Sequence, residues 1–259
     1  MKGIMDSEMD EQQLDYLLRF WEYLPAAAAI KEVHGRVIFA NPEFRRIVGW
    51  QEVTGALPTD YFKTDPEVAI RVMAHDRAAL EYQKPILSVD EIPVGGVWRD
   101  RLAIRFPIFD RGHLRVEMTG VVGFDLEQVE AKAHDLRPDG WEGFDFESEK
   151  PPFQNPIVQE SIPASMLRAF IYNLPGILTV KESDSKLLFA NAEYTRVTGR
   201  QRSEVIGRRP SENWPGKLGT SIEDRDLEVK THRKAIMSVE SLPTREHGIQ
   251  ERLNIRFPL

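Results

Sequence analysis

Six histidines, a dense acidic run and a complete absence of cysteine define what chemistry this 259-residue chain has available. Without cysteine there are no disulfides, thiolate nucleophiles, thiolate zinc sites or iron–sulfur clusters. Any cofactor attached through sulfur, a covalent flavin included, is excluded for the same reason. The histidines are His34, His75, His113, His134, His232 and His247, and they form no HExxH or other metal-ligating spacing. No GxSxG, GxGxxG or phosphate-loop pattern occurs. His34 and His113 fall in turn-like segments, where an imidazole is solvated. Glu223, Asp224, Asp226 and Glu228, with Arg225 among them, read as the acid-rich start of a solvated helix rather than as a cation site. The expectation is a protein without catalysis of its own and without a metal site.

The net charge of −7 is diffuse and disfavours phosphate contacts, so no nucleic-acid partner is expected. No apolar run approaches the ~20 residues of a membrane span. The first residues are polar and acidic, unlike a signal peptide. A cytoplasmic chain with no membrane partner follows as the expectation.

The elements that would position any site occur twice. Leu24-Pro25, Lys31-Glu32, Phe39-Ala40-Asn41, Glu43, Arg46 and Gly49 return as Leu174-Pro175, Lys181-Glu182, Phe189-Ala190-Asn191, Glu193, Arg196 and Gly199. Chance would give about one or two such identities over this length. Arg101-Leu102-x-Ile104-Arg105-Phe106-Pro107 likewise returns as Arg252-Leu253-x-Ile255-Arg256-Phe257-Pro258. One fold unit is used twice.

Within copy one, Leu14, Leu17, Leu18, Trp21 and Leu24 form a helical stripe, with Tyr16, Phe20 and Tyr23 as a second strip. Two strands follow over 28–33 and 36–40. Asn41, Pro42 and Glu43 then start a helix and Gly49 ends it; Asn191 and Gly199 repeat those caps. Residues 55–75 read as loops and short helices, and Asp76 to Gln83 as a longer helix. Strands are expected at Ile86–Val94, Trp98–Phe109 and Leu114–Leu126. A polar helix over 127–134 and an acidic, Pro/Gly-rich linker separate the copies.

These motifs in this order resemble the PAS domains of bacterial signalling proteins. The likeness is carried by Gly35 through Asn41 to Gly49, by Leu187 through Asn191 to Gly207, and by the closing segment from Phe106 to Leu126. It implies an α+β fold: two PAS domains, each a five-stranded antiparallel sheet with helices on one face. The division expected is a helix over 1–24, a PAS domain over 25–127, an exit helix and linker over 128–162, and a second PAS domain over 163–259. In the second copy the counterpart of the last, central strand is missing. The resemblance reads this as a fragment of a longer protein, or as a slot filled by another segment.

The resemblance further implies a sensory, regulatory module. It would bind a small non-covalent ligand or a partner and relay the signal through dimerising helices, as a homodimer through the N-terminal helix. Output would come from a downstream domain or partner protein. Family position and strand alternation place the ligand pocket at Ile30, Ile38, Ala40, Phe44, Leu80, Ile104 and Phe106. Three alternatives stand beside this reading. One is a ligand-free dimerisation scaffold. Another is the input region of a histidine kinase or diguanylate cyclase whose catalytic domain lies beyond Leu259. The third is a haem-based gas sensor with His75 as the iron ligand.

Overall fold

The computed structural model describes residues 11–109, 116–125 and 162–259, with side chains of the segment 116–125 from Met118 onward. The exit helix, nearly all of the linker and the turn at 110–112 lie outside the described residues.

Copy one begins with α1 (Glu11–Tyr23), followed by β1 (Ala27–Glu32), β2 (Val37–Ala40) and α2 (Pro42–Val48). Two further helices, α3 (Pro58–Tyr61) and α4 (Pro66–Tyr82), lead to β3 (Ile86–Val94), β4 (Val97–Phe109) and β5 (Val116–Asp125). The five strands form one antiparallel sheet in the order β2-β1-β5-β4-β3, so the last strand is central. Copy two repeats the pattern as α5 (Ala164–Asn173), β6 (Thr179–Lys181), β7 (Leu187–Ala190), α6 (Ala192–Thr198), α7 (Arg202–Val205), α8 (Pro210–Asn213), α9 (Lys217–His232), β8 (Ile236–Thr244) and β9 (Gly248–Arg256). Its strands form two separate hairpins, β6-β7 and β8-β9; among the described residues no strand joins them as β5 joins β1 to β4.

The repeated asparagines do more than start helices. Asn41 Oδ1 accepts from the backbone N–H of Phe44 at 2.9 Å and of Ala28 at 2.8 Å, while Nδ2 donates to the Ala26 carbonyl at 2.8 Å. Asn191 makes the same three bonds, to Tyr194, Leu178 and Gly176. One buried amide thus caps a helix and fixes the chain entering β1 or β6, supplying partners that buried backbone groups require. Gly49 and Gly199 close these helices at φ +71° and +73°, in the left-handed region that side chains disfavour.

Helix α4 is longer than the sequence reading: it starts at Pro66, ten residues before Asp76. Pro66 occupies the first turn, where its missing N–H costs nothing. The buried stripe is Val68, Ala69, Val72, Asp76 and Ala79. A carboxylate inside the apolar stripe is what masks the helical period. His75 and Asp76 are therefore mid-helix residues, and so is the acidic run of copy two, which sits inside α9.

Both faces of the copy-one sheet are covered. Ala27 and Ala29 of β1 pack with Phe44, Ile47, Phe62, Val68, Ala69 and Val72 beneath α2–α4. Ala26, Ala28 and Ile30 point the other way, joining Phe106, Ile108 and Val122 against α1 and α5. The helices of the copy-one domain, α2–α4, thus lie on one face, and α1 together with α5 of copy two covers the other.

Phe170 of α5 is fully buried and packs edge-on against Trp21 of α1 at 5.1 Å and Phe106 of β4 at 5.2 Å between ring centroids. Such pairs add about 0.5–1.5 kcal/mol each beyond their buried area. In return, Phe20 of α1 meets Phe257 of copy two at 5.8 Å. Gly120 is required beneath this contact, because a Cβ there would lie 2.4 Å from the Phe106 ring. Leu17, Phe20 and Trp21 of α1 are buried within the chain, in one cluster with Leu167, Phe170 and Ile171 of α5.

Candidate functional site

The inner face of the copy-one sheet carries charge where a core face is ordinarily apolar. Strand alternation puts Lys31 of β1 and Arg101 and Arg105 of β4 on the side facing α2–α4. Opposite them stands Asp76 of α4, and beside them Asp90 and Ser88 of β3. Asp76 accepts from Lys31 Nζ at 2.7 Å and from Arg105 Nε at 2.8 Å. Arg105 also donates to Asp90 Oδ2 at 2.6 Å and to Ser88 Oγ. Asp90 Oδ1 meets His75 Nδ1 at 2.9 Å, and Ser88 Oγ lies 3.2 Å from Asp90 Oδ2. Lys31, Asp76, Asp90 and Arg105 are all at most 4% exposed. Charges this deep persist only when paired and hydrogen-bonded.

Burial opposes the Lys31 ammonium, but the Asp76 carboxylate and the Tyr61 ring system beside it outweigh that cost and raise its pKa above 10.5. Burial likewise opposes the Asp90 carboxylate, yet Arg105 prevails and holds it below 3.8. The signs follow directly. A carboxylate depressed on folding stabilises above its unfolded pKa and loses that contribution as pH falls; an ammonium raised on folding loses it as pH rises. These two groups should therefore leave the urea midpoint flat from about pH 5 to 9 and lower it below about pH 4 and above about pH 10.5. A midpoint changing steadily through neutrality in a His75→Gln background would contradict this assignment.

The same cluster is built again in copy two. Lys181 Nζ meets Asp226 at 2.8 and 3.0 Å, Arg256 Nε meets Asp226 at 3.2 Å, and Arg256 clasps Glu240 with a 2.8 Å bond among its contacts. Ser238 bonds Glu240 at 3.1 Å, and Arg225 stands where copy one has His75, 3.4 Å from the same glutamate. Asp226 is thus an ion-pair centre, not part of a solvated helix start. Copy two is more open, with side chains of Lys181, Asp226 and Arg256 14–18% exposed. There burial outweighs the Asp226 carboxylate and lowers the Lys181 pKa, opposite to Lys31.

Between the charged face and α2–α4 of copy one lies a cavity of about 60 Å³. At roughly 10–15 Å³ per water on this measure, it holds on the order of five water-sized groups. Its apolar walls include Phe44, Ile47, Phe62, Val72 and Ile92, and its polar lining is Lys31, Tyr61, Asp90, Arg101 and Arg105. Of the residues expected to form a pocket, Phe44 lines this cavity. Ala40 belongs to the same inner core and Leu80 is half-buried on α4. Ile30, Ile38, Ile104 and Phe106 are corrected to the opposite face, against α1 and α5. The register is displaced by one residue because the outer face, under two helices, is the more apolar of the two. His75 meets Asp90 through Nδ1 and does not line the cavity, and room for a handful of atoms does not hold a porphyrin. The haem reading does not fit these residues.

One signal for the cluster was present in the sequence. Lysine and aspartate lie 45 residues apart in both copies.

Residues 172–257 match the family described as the PAS fold. The chain contains a PAS fold. No curated protein matches the chain. Among solved structures, a Vibrio cholerae VqmA–ligand–DNA complex is 17% identical, covering 50% of this chain and 60% of that one at a TM-score of 0.40. The Rhodobacter sphaeroides LOV protein is 20% identical over 49% of this chain and 77% of its own, at a TM-score of 0.38. The PAS domain of Bordetella pertussis BvgS is 18% identical over 49% of this chain and 97% of its own, at a TM-score of 0.35. The chain spans 52–60% of the length of the VqmA chains it matches. Among the described residues, no helix is long and apolar enough to cross a membrane, and no group of acidic or histidine side chains has the arrangement of a metal site.

Proposed function

We propose that the chain is a tandem-PAS sensory module, cytoplasmic and non-catalytic, whose copy-one cavity takes a small non-covalent ligand and whose paired helices α1 and α5 carry the response. One observation supports this above the others. Adjacent residues of β4 reach both sides of the sheet: Arg105 lines the cavity, and Phe106 touches Phe170 of α5. A ligand that favours one position of β4 over another therefore biases the packing between the copies, which is what a relay requires. Output belongs to a partner protein or a further domain, the input of a histidine kinase or diguanylate cyclase being one such setting. The acidic balance argues against direct binding to nucleic acid.

A ligand-free scaffold is the second reading, favoured by an ion cluster whose carboxylates are already paired within the protein. Amide hydrogen exchange separates the two. With the filtered small-molecule fraction of a cell extract, the sensory reading expects slower exchange in β4 and α5 together. Unchanged exchange in both elements at saturating extract would leave the scaffold.

A further inference from the structure

We propose that the copy-one cavity selects a small neutral molecule with an apolar body and one carbonyl-type oxygen, received by Lys31 and Tyr61. The inference rests on the sensory reading above and names the ligand class of that site.

Hydrogen-bond supply inside the cavity is unbalanced. Both oxygens of Asp76 are taken by Lys31 and Arg105, and both oxygens of Asp90 by His75, Arg105 and Ser88. Arg105 spends each of its nitrogens on this cluster. Lys31 has three N–H groups; one is given to Asp76 at 2.7 Å, and the Tyr61 hydroxyl stands beside the ammonium. Tyr61 Oη is buried without a hydrogen-bond partner, and so is Thr119 Oγ1, directly across the β1–β5 pair from Lys31. The carboxylates are engaged, while Lys31, which can only donate, and the Tyr61 hydroxyl at the cavity wall keep N–H and O–H capacity. A buried donor left unmade costs about 1–3 kcal/mol, so an acceptor brought into this space recovers more than an ordinary hydrogen bond.

Charge decides between acceptors. Lys31 and Arg105 balance Asp76 and Asp90, and Arg101 faces Asp125 at 3.7 Å. A carboxylate ligand would add a buried charge to a balanced set, at a desolvation cost of several kcal/mol. A carbonyl oxygen accepts from the same donors without that cost. The apolar walls and the 60 Å³ volume limit the rest of the molecule to a few carbon atoms.

The test is a protein-observed NMR titration of the full chain with cyclopentanone, cyclopentane, butyrate and cyclopentylamine. Cyclopentanone is expected to perturb cavity residues and to bind about tenfold tighter than cyclopentane, with butyrate and cyclopentylamine weaker than the ketone. In Tyr61→Phe, which removes only the unpartnered hydroxyl, cyclopentane should bind as before while the ketone preference falls to about threefold or less. The cyclopentane arm also reports that the variant is folded. Equal affinity for ketone and hydrocarbon, tighter binding of either ion, a preference unchanged in Tyr61→Phe, or no binding by any probe would each overturn the ligand class. The hydrogen-exchange response to extract is read separately, so the sensory reading stands or falls on its own result.

Discussion

Replacing Asp76 by alanine is expected to destabilise copy one by about 3–5 kcal/mol, the cost of breaking a buried ion pair from one side. The size follows from the partners left behind. Lys31 and Arg105 both give a hydrogen bond to Asp76, both are at most 3% exposed, and no second carboxylate reaches Lys31 among the described residues. Urea unfolding followed residue by residue through amide exchange in β1 and β4 measures it. The double variant Lys31→Met with Asp76→Leu should recover part of the loss, because Lys31 is no longer left unpaired while Arg105 Nε still lacks its acceptor. In copy two Asp226→Ala should cost less, about 1–3 kcal/mol, because its partners retain access to water. A loss below about 1 kcal/mol for Asp76→Ala would mean that the buried cluster is not holding the sheet to α4.

Phe170→Ala should produce a loss of comparable size, about 3–5 kcal/mol for a large buried aromatic. Its distinguishing consequence is location. Phe170 lies on the leading helix of copy two, yet the rings it supports are Trp21 and Phe106 of copy one. Amide exchange should therefore accelerate in α1 and β4, although no residue of copy one has changed. Ser165→Ala, on an exposed position of the same helix, should leave both elements unaffected. Faster exchange confined to α5 would show that the copies do not lean on each other through this ring.

Much of the backbone was legible in the sequence because its signals are local. Asn41 and Gly49 mark a helix whose ends need a side-chain acceptor and a left-handed residue, and the repeat shows the same pair again at Asn191 and Gly199. The strand β3 was read at Ile86–Val94, where alternation and turn residues bound it. What escaped was the assignment of faces. Alternation distinguishes two sides of a strand but not which side meets the ligand. The usual rule places apolar residues inward, and here that rule selects Ile30, Ile104 and Phe106, the side under α1 and α5. The inward residues are Lys31, Arg101 and Arg105, acceptable in a core only because α4 and β3 bring carboxylates from 45 and 15 residues away. The same carboxylate, Asp76, interrupts the apolar stripe of α4 and hides where that helix begins.

The docking of α5, the leading helix of copy two, on copy one has a consequence for how the protein behaves on dilution. Two separate subunits associate to a degree set by their concentration, so a cell with few copies would hold mostly unpaired subunits. Halves joined in one chain meet at an effective concentration of about the millimolar range, whatever the number of molecules present. The contact of Phe170 with Trp21 and Phe106 is therefore expected to be as complete at nanomolar as at micromolar protein. The tether also fixes the composition of the pair. Each assembly contains one closely buried lysine–aspartate cluster and one more open one, so the two halves are free to diverge without forming mismatched combinations.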